Sequence, residues 1–227
     1  MNGPGSCTVG RHQKGPVEAL HVLVACAGAV VIVCIALAGV VMYRRWVYPA
    51  PFPPWMTPIL DRPSRRKKFS PERAAERHGI EEGMRVLEIG PGGGYLTAAA
   101  RQRVGPTGML VCLDIQLAML QKLRQYLGTQ TPALVCAPGT ELPLADACID
   151  LVFLCEVLGE IRDKRGALGE LYRVIRPGGT LAVTEAMPDP DYVRCSVLTA
   201  LAVEAGFEPT RRFGTWSLYT QRFTRPG

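Results

Sequence analysis

Residues 86–97 read VLEIGPGGGYLT, and this segment concentrates the residues best suited to chemistry. Gly90, Gly92, Gly93 and Gly94 let the backbone turn sharply and approach a ligand without a Cβ in the way. The run before them, Arg85–Ile89, is short and apolar, and a helical pattern follows. In open α/β sheets ligands bind beyond the carboxyl ends of strands, where such a loop falls. The spacing is G-x-G-x-G with Tyr95 next, so the dinucleotide fingerprint G-x-G-x-x-G fails at its last position. Glu88 stands two residues before the first glycine. A carboxylate there suits a cationic group such as an ammonium and would repel a pyrophosphate. Asp114 ends the next apolar run. A carboxylate accepts two hydrogen bonds from a ribose diol, and its offset is close to the ~20 residues expected of a ribose-binding acid. The competing reading makes Asp114 a strand-end cap on the following helix.

These residues need a frame, and the pattern supplies one. Ser70-Pro71-Glu72 starts a helix, with Ser70 as N-cap and Pro71 in the first turn; it runs to about His78 and stops at Gly79. His78 has no partner at a catalytic spacing and reads as a helix-terminal residue. Strands are predicted over 85–89, 109–114, 133–137, 149–154 and 181–185, and helices over 95–104, 117–127, 164–175 and 196–205. Arg176-Pro177-Gly178-Gly179 reads as a turn. Residues 207–213 and 216–223 flank Gly214-Thr215 as a terminal hairpin. Alternating strands and helices predict a parallel sheet with helices on both faces. The hairpin adds an antiparallel strand at one edge.

With these pieces in place, the glycine segment resembles motif I of the class I S-adenosylmethionine-dependent methyltransferases. Asp150-Leu151-Val152-Phe153 resembles that family's fourth-strand motif. Leu171-Tyr172-Arg173-Val174-Ile175-Arg176-Pro177-Gly178-Gly179 is similar to its R-V-L-K-P-G-G turn. The likeness covers Ser70 to Gly227. It implies a Rossmann-like, doubly wound, mostly parallel seven-stranded sheet with an antiparallel terminal hairpin, and S-adenosyl-L-methionine as cofactor. Glu88, Gly90, Gly92 and Gly94 would hold the methionine part, Asp114 the ribose, and Ile115 one face of the adenine. The family often places an aspartate after the third strand; here Pro138 occupies that position, and backbone groups of Gly139 or Thr140 would have to substitute. Acid–base candidates follow the fourth and fifth strands: Glu156, Glu160 and Glu185. Of these Glu156 borders the sulfonium region in this family and is the candidate catalytic residue; its competing reading is a solvated loop carboxylate or a partner for Arg162. The chain looks most like small-molecule methyltransferases related to the ubiquinone and menaquinone C-methyltransferases, so a small or lipid acceptor is expected. Two alternatives stand: a membrane-tethered module that binds the cofactor without transfer, which Pro138 keeps open, and a nicotinamide-dependent reductase, which Glu88 and Tyr95 disfavour.

The chain of 227 residues carries a formal charge of +6, unevenly spread. Residues 22–43 contain no charge and meet the length of about 20 apolar residues that spans a bilayer. The run ends in Met42-Tyr43-Arg44-Arg45-Trp46, a poor cleavage site, so an uncleaved anchor is expected rather than a signal peptide. Arg44, Arg45, Arg62, Arg65, Arg66, Lys67 and Lys68 outweigh Arg11 and Lys14, which predicts a single-pass protein with its catalytic domain in the cytoplasm. Beside an apolar span this basic cluster suits anionic lipid, and no nucleic-acid partner is expected. The expected organisation is a tail (1–21), a transmembrane helix (22–43), a basic proline-rich juxtamembrane segment (44–69) and the methyltransferase domain (70–227). The segment PAPFPPWMTPILDRP reads either as a stiff spacer or as a lid carrying Phe52, Trp55, Met56 and Ile59 toward a cleft. The eight cysteines include no C-x-x-C pair and read as reduced structural thiols, with no metal site expected.

Overall fold

The computed structural model describes residues 16–47, 51–54 and 69–227. The chain divides into two units, Met1–Arg44 and Arg45–Gly227. Trp55, Met56, Ile59, the basic run 62–68, Arg11, Lys14 and Cys7 lie outside the described residues.

Most of α1, Pro16–Val47, lies in the first unit, and the helix is longer at both ends than the apolar run alone suggested. Its segment Leu20–Val40 is long and apolar enough to cross a membrane, and none of it is buried. Its side chains exposed to solvent include Leu23, Ile32 and Ile35.

The second unit is built on a seven-stranded sheet in the order β3-β2-β1-β4-β5-β7-β6. The strands are β1 (Arg85–Ile89), β2 (Met109–Asp114), β3 (Ala133–Cys136), β4 (Ile149–Cys155), β5 (Ile175–Ala186), β6 (Glu208–Gly214) and β7 (Leu218–Thr224). Strands β1 to β5 pair in parallel, and β7 runs antiparallel to both β5 and β6. The antiparallel strand is therefore inside the sheet, and β6 is the edge.

Among the described residues five helices cover the two faces: α2 (Pro71–His78), α3 (Thr97–Val104), α4 (Leu117–Leu127), α5 (Lys164–Val174) and α6 (Cys195–Glu204). On one face Ala74, Ala75, Ala100, Val104 and Leu123 meet Val86, Cys112, Leu151 and Phe153. On the other, Leu168, Leu171, Val174, Leu198 and Ala202 meet Leu87, Val152, Leu154, Leu181 and Val183. Alternate residues of one strand thus feed both cores, as strands buried on both faces must. Each fully buried Leu or Val contributes about 1.5–3 kcal/mol.

The caps follow the local chemistry. Ser70 Oγ accepts the Arg73 N–H at 3.1 Å, and Gly79 closes α2 in the left-handed region with φ 87°. Asp163 caps α5 by accepting the Gly166 N–H at 2.9 Å. Three expectations need correction. Helix α3 begins at Thr97, because Pro91–Leu96 are spent on turns. Arg176–Gly179 is not a free turn but an irregular stretch of β5, where the register with β4 shifts. It stays in the sheet because Gly178 N–H donates to Arg225 O at 2.8 Å and Arg225 N–H to Gly179 O at 3.0 Å. Trp216 belongs to the hairpin tip, 74% exposed, not to β7.

Two motif residues are explained by architecture. Asp150 accepts the Arg85 N–H and the Arg176 Nε–H, each at 2.6 Å. It ties the starts of β1, β4 and β5 together at the amino end of the sheet, away from the glycine loop.

Candidate active site

Strand β1 delivers Glu88 to the face it shares with Cys112 of β2 and Phe153 of β4, its register partners. The Glu88 side chain is only 3% exposed. Burial pushes its carboxyl up to about 7, and nearby Asp114 adds to the rise; the Cys112 thiol and the neighbouring Thr97 hydroxyl partly offset it. Cys112 Sγ donates to Glu88 Oε2 at 3.4 Å, whereas Thr97 Oγ1 has no partner of full hydrogen-bonding geometry among the described residues. The Cys112 thiol is itself held protonated by burial and by Glu88, so it remains a donor. An acid this buried gains little from water and much from a cation brought to it.

The loop after β1 has positive φ at Gly90 (68°), Gly92 (55°) and Gly94 (91°). Its glycines have different reasons to be glycine. A Cβ on Gly90 would meet Val157 Cγ2 at 2.5 Å, so packing forbids it, whereas a Cβ on Gly92 would meet nothing within 4 Å. Open space beside a left-handed backbone is where a ligand can approach the main chain.

Asp114 ends β2, mostly buried; Oδ1 accepts the Gln116 N–H at 2.8 Å. Burial pushes its carboxyl above the ordinary carboxylate range, partly offset by the N–H groups of Gln116 and Gly92. The cap reading and the ligand reading of Asp114 are compatible, since one oxygen serves the backbone. Ile115 is 56% exposed at the same edge. The loop after β3 also arrives there: a Cβ on Gly139 would sit 3.4 Å from Ile161 Cδ1 and 3.9 Å from Ile89 Cγ2. Pro138 O accepts the Glu141 N–H at 3.1 Å, which tightens the turn around Gly139 and Thr140.

The three acidic candidates beyond β4 and β5 separate clearly. Glu156 follows β4 with φ 57°, rare for a residue with a Cβ, and its N–H donates to Thr184 O at 2.8 Å. Glu160 Oε2 accepts the Phe52 N–H at 3.0 Å. Glu185 is 1% exposed. Its Oε2 accepts the Val193 N–H at 3.2 Å, and Oε1 has no partner among the described residues. Burial, then Asp189 and Glu156, push its carboxyl well above the usual range.

His78 has a structural role that its sequence neighbours did not reveal. Its Nε2 lies 2.8 Å from Thr184 Oγ1, which in turn lies 2.8 Å from Thr220 Oγ1, and its ring stacks on Phe153 at 4.9 Å. Burial and then Arg222 lower it to about 3, so it is neutral. The cysteines among the described residues are all free, and no group of three metal-binding side chains occurs among the described residues. A groove of about 610 Å3 between α6 and the hairpin, lined by Cys195, Thr199, Arg212 and Gln221, lies on the far side of β4 and β5 from the glycine loop.

Comparison with known proteins agrees with this geometry. Residues 87–183 match the methyltransferase domain family. That stretch, less than half of the chain, is thus similar to methyltransferase domains. The chain is 39% identical over 111 residues to the ubiquinone/menaquinone biosynthesis C-methyltransferase of Psychromonas ingrahamii, covering 47% of this chain and 44% of that protein. It is 38% identical over 114 residues to the same enzyme of Hahella chejuensis, covering 48% and 46%. The chain thus matches less than half the length of these relatives. Its fold matches the crystal structure of a SAM dependent methyltransferase from Aquifex aeolicus with a TM-score of 0.71 and 24% identity, covering 77% of this chain and all of that one.

Proposed function

We propose that the protein transfers a methyl group from S-adenosylmethionine to a small, lipophilic acceptor. The observation that carries this reading is the buried Glu88 carboxyl beside a positive-φ glycine loop, with Asp114 at the end of the next strand. Glu88 would pair with the methionine ammonium, and its low-dielectric setting strengthens that pairing. Gly90 and Gly94 hold the loop's shape, and Gly92 leaves its open face to the ligand. Asp114 would accept the ribose hydroxyls. Ile115 would cover one face of the adenine, and backbone groups of Gly139 and Thr140 would meet its edge, where Pro138 supplies no carboxylate.

When bound, the cofactor supplies an electrophilic methyl on a sulfonium. The protein's part is to exclude water, align the acceptor and, where the acceptor requires it, take a proton. Glu156 is the proposed acceptor-side base. It directly follows β4 in a backbone conformation that marks functional positions. Burial holds the Glu185 carboxyl well above the usual carboxylate range, and Glu160 accepts the Phe52 N–H.

The relatives' names and the apolar α1 support a lipophilic acceptor. In this reading α1 crosses a bilayer once, with residues 22–43 at its centre, and the basic residues after it keep the methyltransferase domain on the cytoplasmic side. Labelled methyl transfer in membranes bearing the full chain tests the proposal. Label in the solvent-extractable quinone or lipid fraction is expected; label confined to protein or RNA overturns it. Pro138 favours a second reading, a tethered module that binds the cofactor without transfer; bound cofactor with no turnover across lipid and quinone acceptors would select it.

A further inference from the structure

Residues 51–54, the described part of the proline-rich stretch, are tied to both sides of the glycine loop. The Phe52 N–H donates to Glu160 Oε2 at 3.0 Å, and the Phe52 carbonyl accepts Gln116 Nε2–H at 3.0 Å. The Pro54 carbonyl accepts the Lys122 ammonium. Glu160 ends the short 3-10 turn after β4, and Gln116 follows β2 at the start of α4. In the sheet β1 lies between β2 and β4. Neighbouring strands are about 4.8 Å apart, so β2 and β4 are separated by roughly twice that. A residue held by the loops after both strands therefore crosses the carboxyl end of β1, where Gly90–Gly94 lie.

The segment's composition fits this task. Pro51, Pro53 and Pro54 carry no N–H, so Phe52 offers the single backbone donor of the four, and Glu160 takes it. Proline also stiffens the chain, so the segment keeps its shape between its anchors. Gln116 links the strap to the site: its backbone N–H donates to Asp114 Oδ1 at 2.8 Å while its side chain holds Phe52.

We infer that Pro51–Pro54 is a strap closing the cofactor site, and that S-adenosylmethionine and S-adenosylhomocysteine exchange when the Glu160–Phe52–Gln116 bridge opens. This rests on the glycine loop being the S-adenosylmethionine site. It makes Gln116 and Glu160 positioning residues for the strap rather than catalytic groups.

Dissociation of labelled S-adenosylhomocysteine from the full chain in detergent tests the inference, comparing wild type with Gln116→Ala, Glu160→Ala and the double variant. Each single change should speed release severalfold and the double change by about tenfold or more. Hydrogen exchange on the wild-type chain needs no variant: the Phe52 amide should slow when S-adenosylhomocysteine is added. Release rates within twofold of wild type, or unchanged exchange at Phe52 with the ligand bound, overturn the strap while leaving the site intact. A wild-type chain that takes up neither S-adenosylmethionine nor S-adenosylhomocysteine overturns the site and the strap together.

Discussion

Glu88 and Cys112 are register partners across β1 and β2, and the Cys112 thiol donates to Glu88 Oε2 at 3.4 Å. This contact is weak compensation for a buried acid, so Glu88 is kept near neutrality until a stronger partner arrives. With its carboxyl raised to about 7, the site is poised to ionise when a cation binds.

Cofactor affinity should therefore depend on pH with a definite sign. Below about pH 7 the carboxyl is protonated, and an ammonium ligand must displace that proton. Affinity should fall by up to about tenfold per pH unit there. Above roughly pH 8 the cofactor's own amine loses its charge. Calorimetric titration from pH 5.5 to 9 should show a maximum between these limits; a flat profile would contradict the assignment of Glu88.

The same group has a stability signature in the absence of ligand. Its folded value of about 7 exceeds the ordinary 4.5, so the stabilisation it confers is full below about pH 4.5 and lost as pH rises to about 7. The loss is about 3 kcal/mol at most. Glu88→Gln should abolish this dependence, hold the fold at pH 8, and weaken cofactor binding by about a hundredfold. Denaturant unfolding of both proteins across this range, with parallel titrations, checks it.

His78 acts in the opposite direction. It is neutral in the fold at a value near 3 against an ordinary 6.5, so its contribution is present above about pH 6.5 and disappears as pH falls toward 3. His78→Ala should cost about 2–4 kcal/mol at pH 7, through the vacated space against Phe153. Cofactor affinity, measured on the folded fraction, should change little. A large loss of affinity with unchanged stability would assign His78 to the site instead.

Glycine substitutions should separate packing from binding. Gly90→Ala forces a contact of 2.5 Å with Val157 and should destabilise the fold strongly. Gly92→Ala meets open space and carries only the cost of a left-handed alanine, about 1 kcal/mol, while weakening the cofactor by about tenfold. Thermal melts with and without S-adenosylmethionine distinguish the two; equal effects on melting would refute the distinction.

Pro138→Asp returns the carboxylate that the resemblance leads one to expect after the third strand. It should tighten cofactor binding by about tenfold, the worth of one charge-assisted hydrogen bond. No gain would mean that Gly139 and Thr140 already satisfy the adenine edge.

Much of the frame was legible because it depends on local signals. The apolar runs, the Ser70 and Gly79 caps and the glycine loop each declare themselves within a few residues, and Glu88 and Asp114 fall near the carboxyl ends of β1 and β2. What stayed hidden depends on distant pairing. His78 looked inert because Thr184, its partner, is 106 residues away. Nothing local to Phe52 announces Glu160, 108 residues on, as the acceptor of its N–H. Arg176–Gly179 has turn chemistry, but Arg225 at the other end of the domain keeps it in the sheet. Trp216 has strand propensity, yet the hairpin turn ejects it.

The loop from Glu88 to Gly94 is the proposed S-adenosylmethionine site. Calorimetry of the purified full chain with S-adenosylmethionine and, separately, NADH tests it most directly. One S-adenosylmethionine per chain is expected, bound about a hundredfold more weakly in Glu88→Gln, with no binding of NADH. Heat with NADH alone, or S-adenosylmethionine binding indifferent to Glu88, would contradict it.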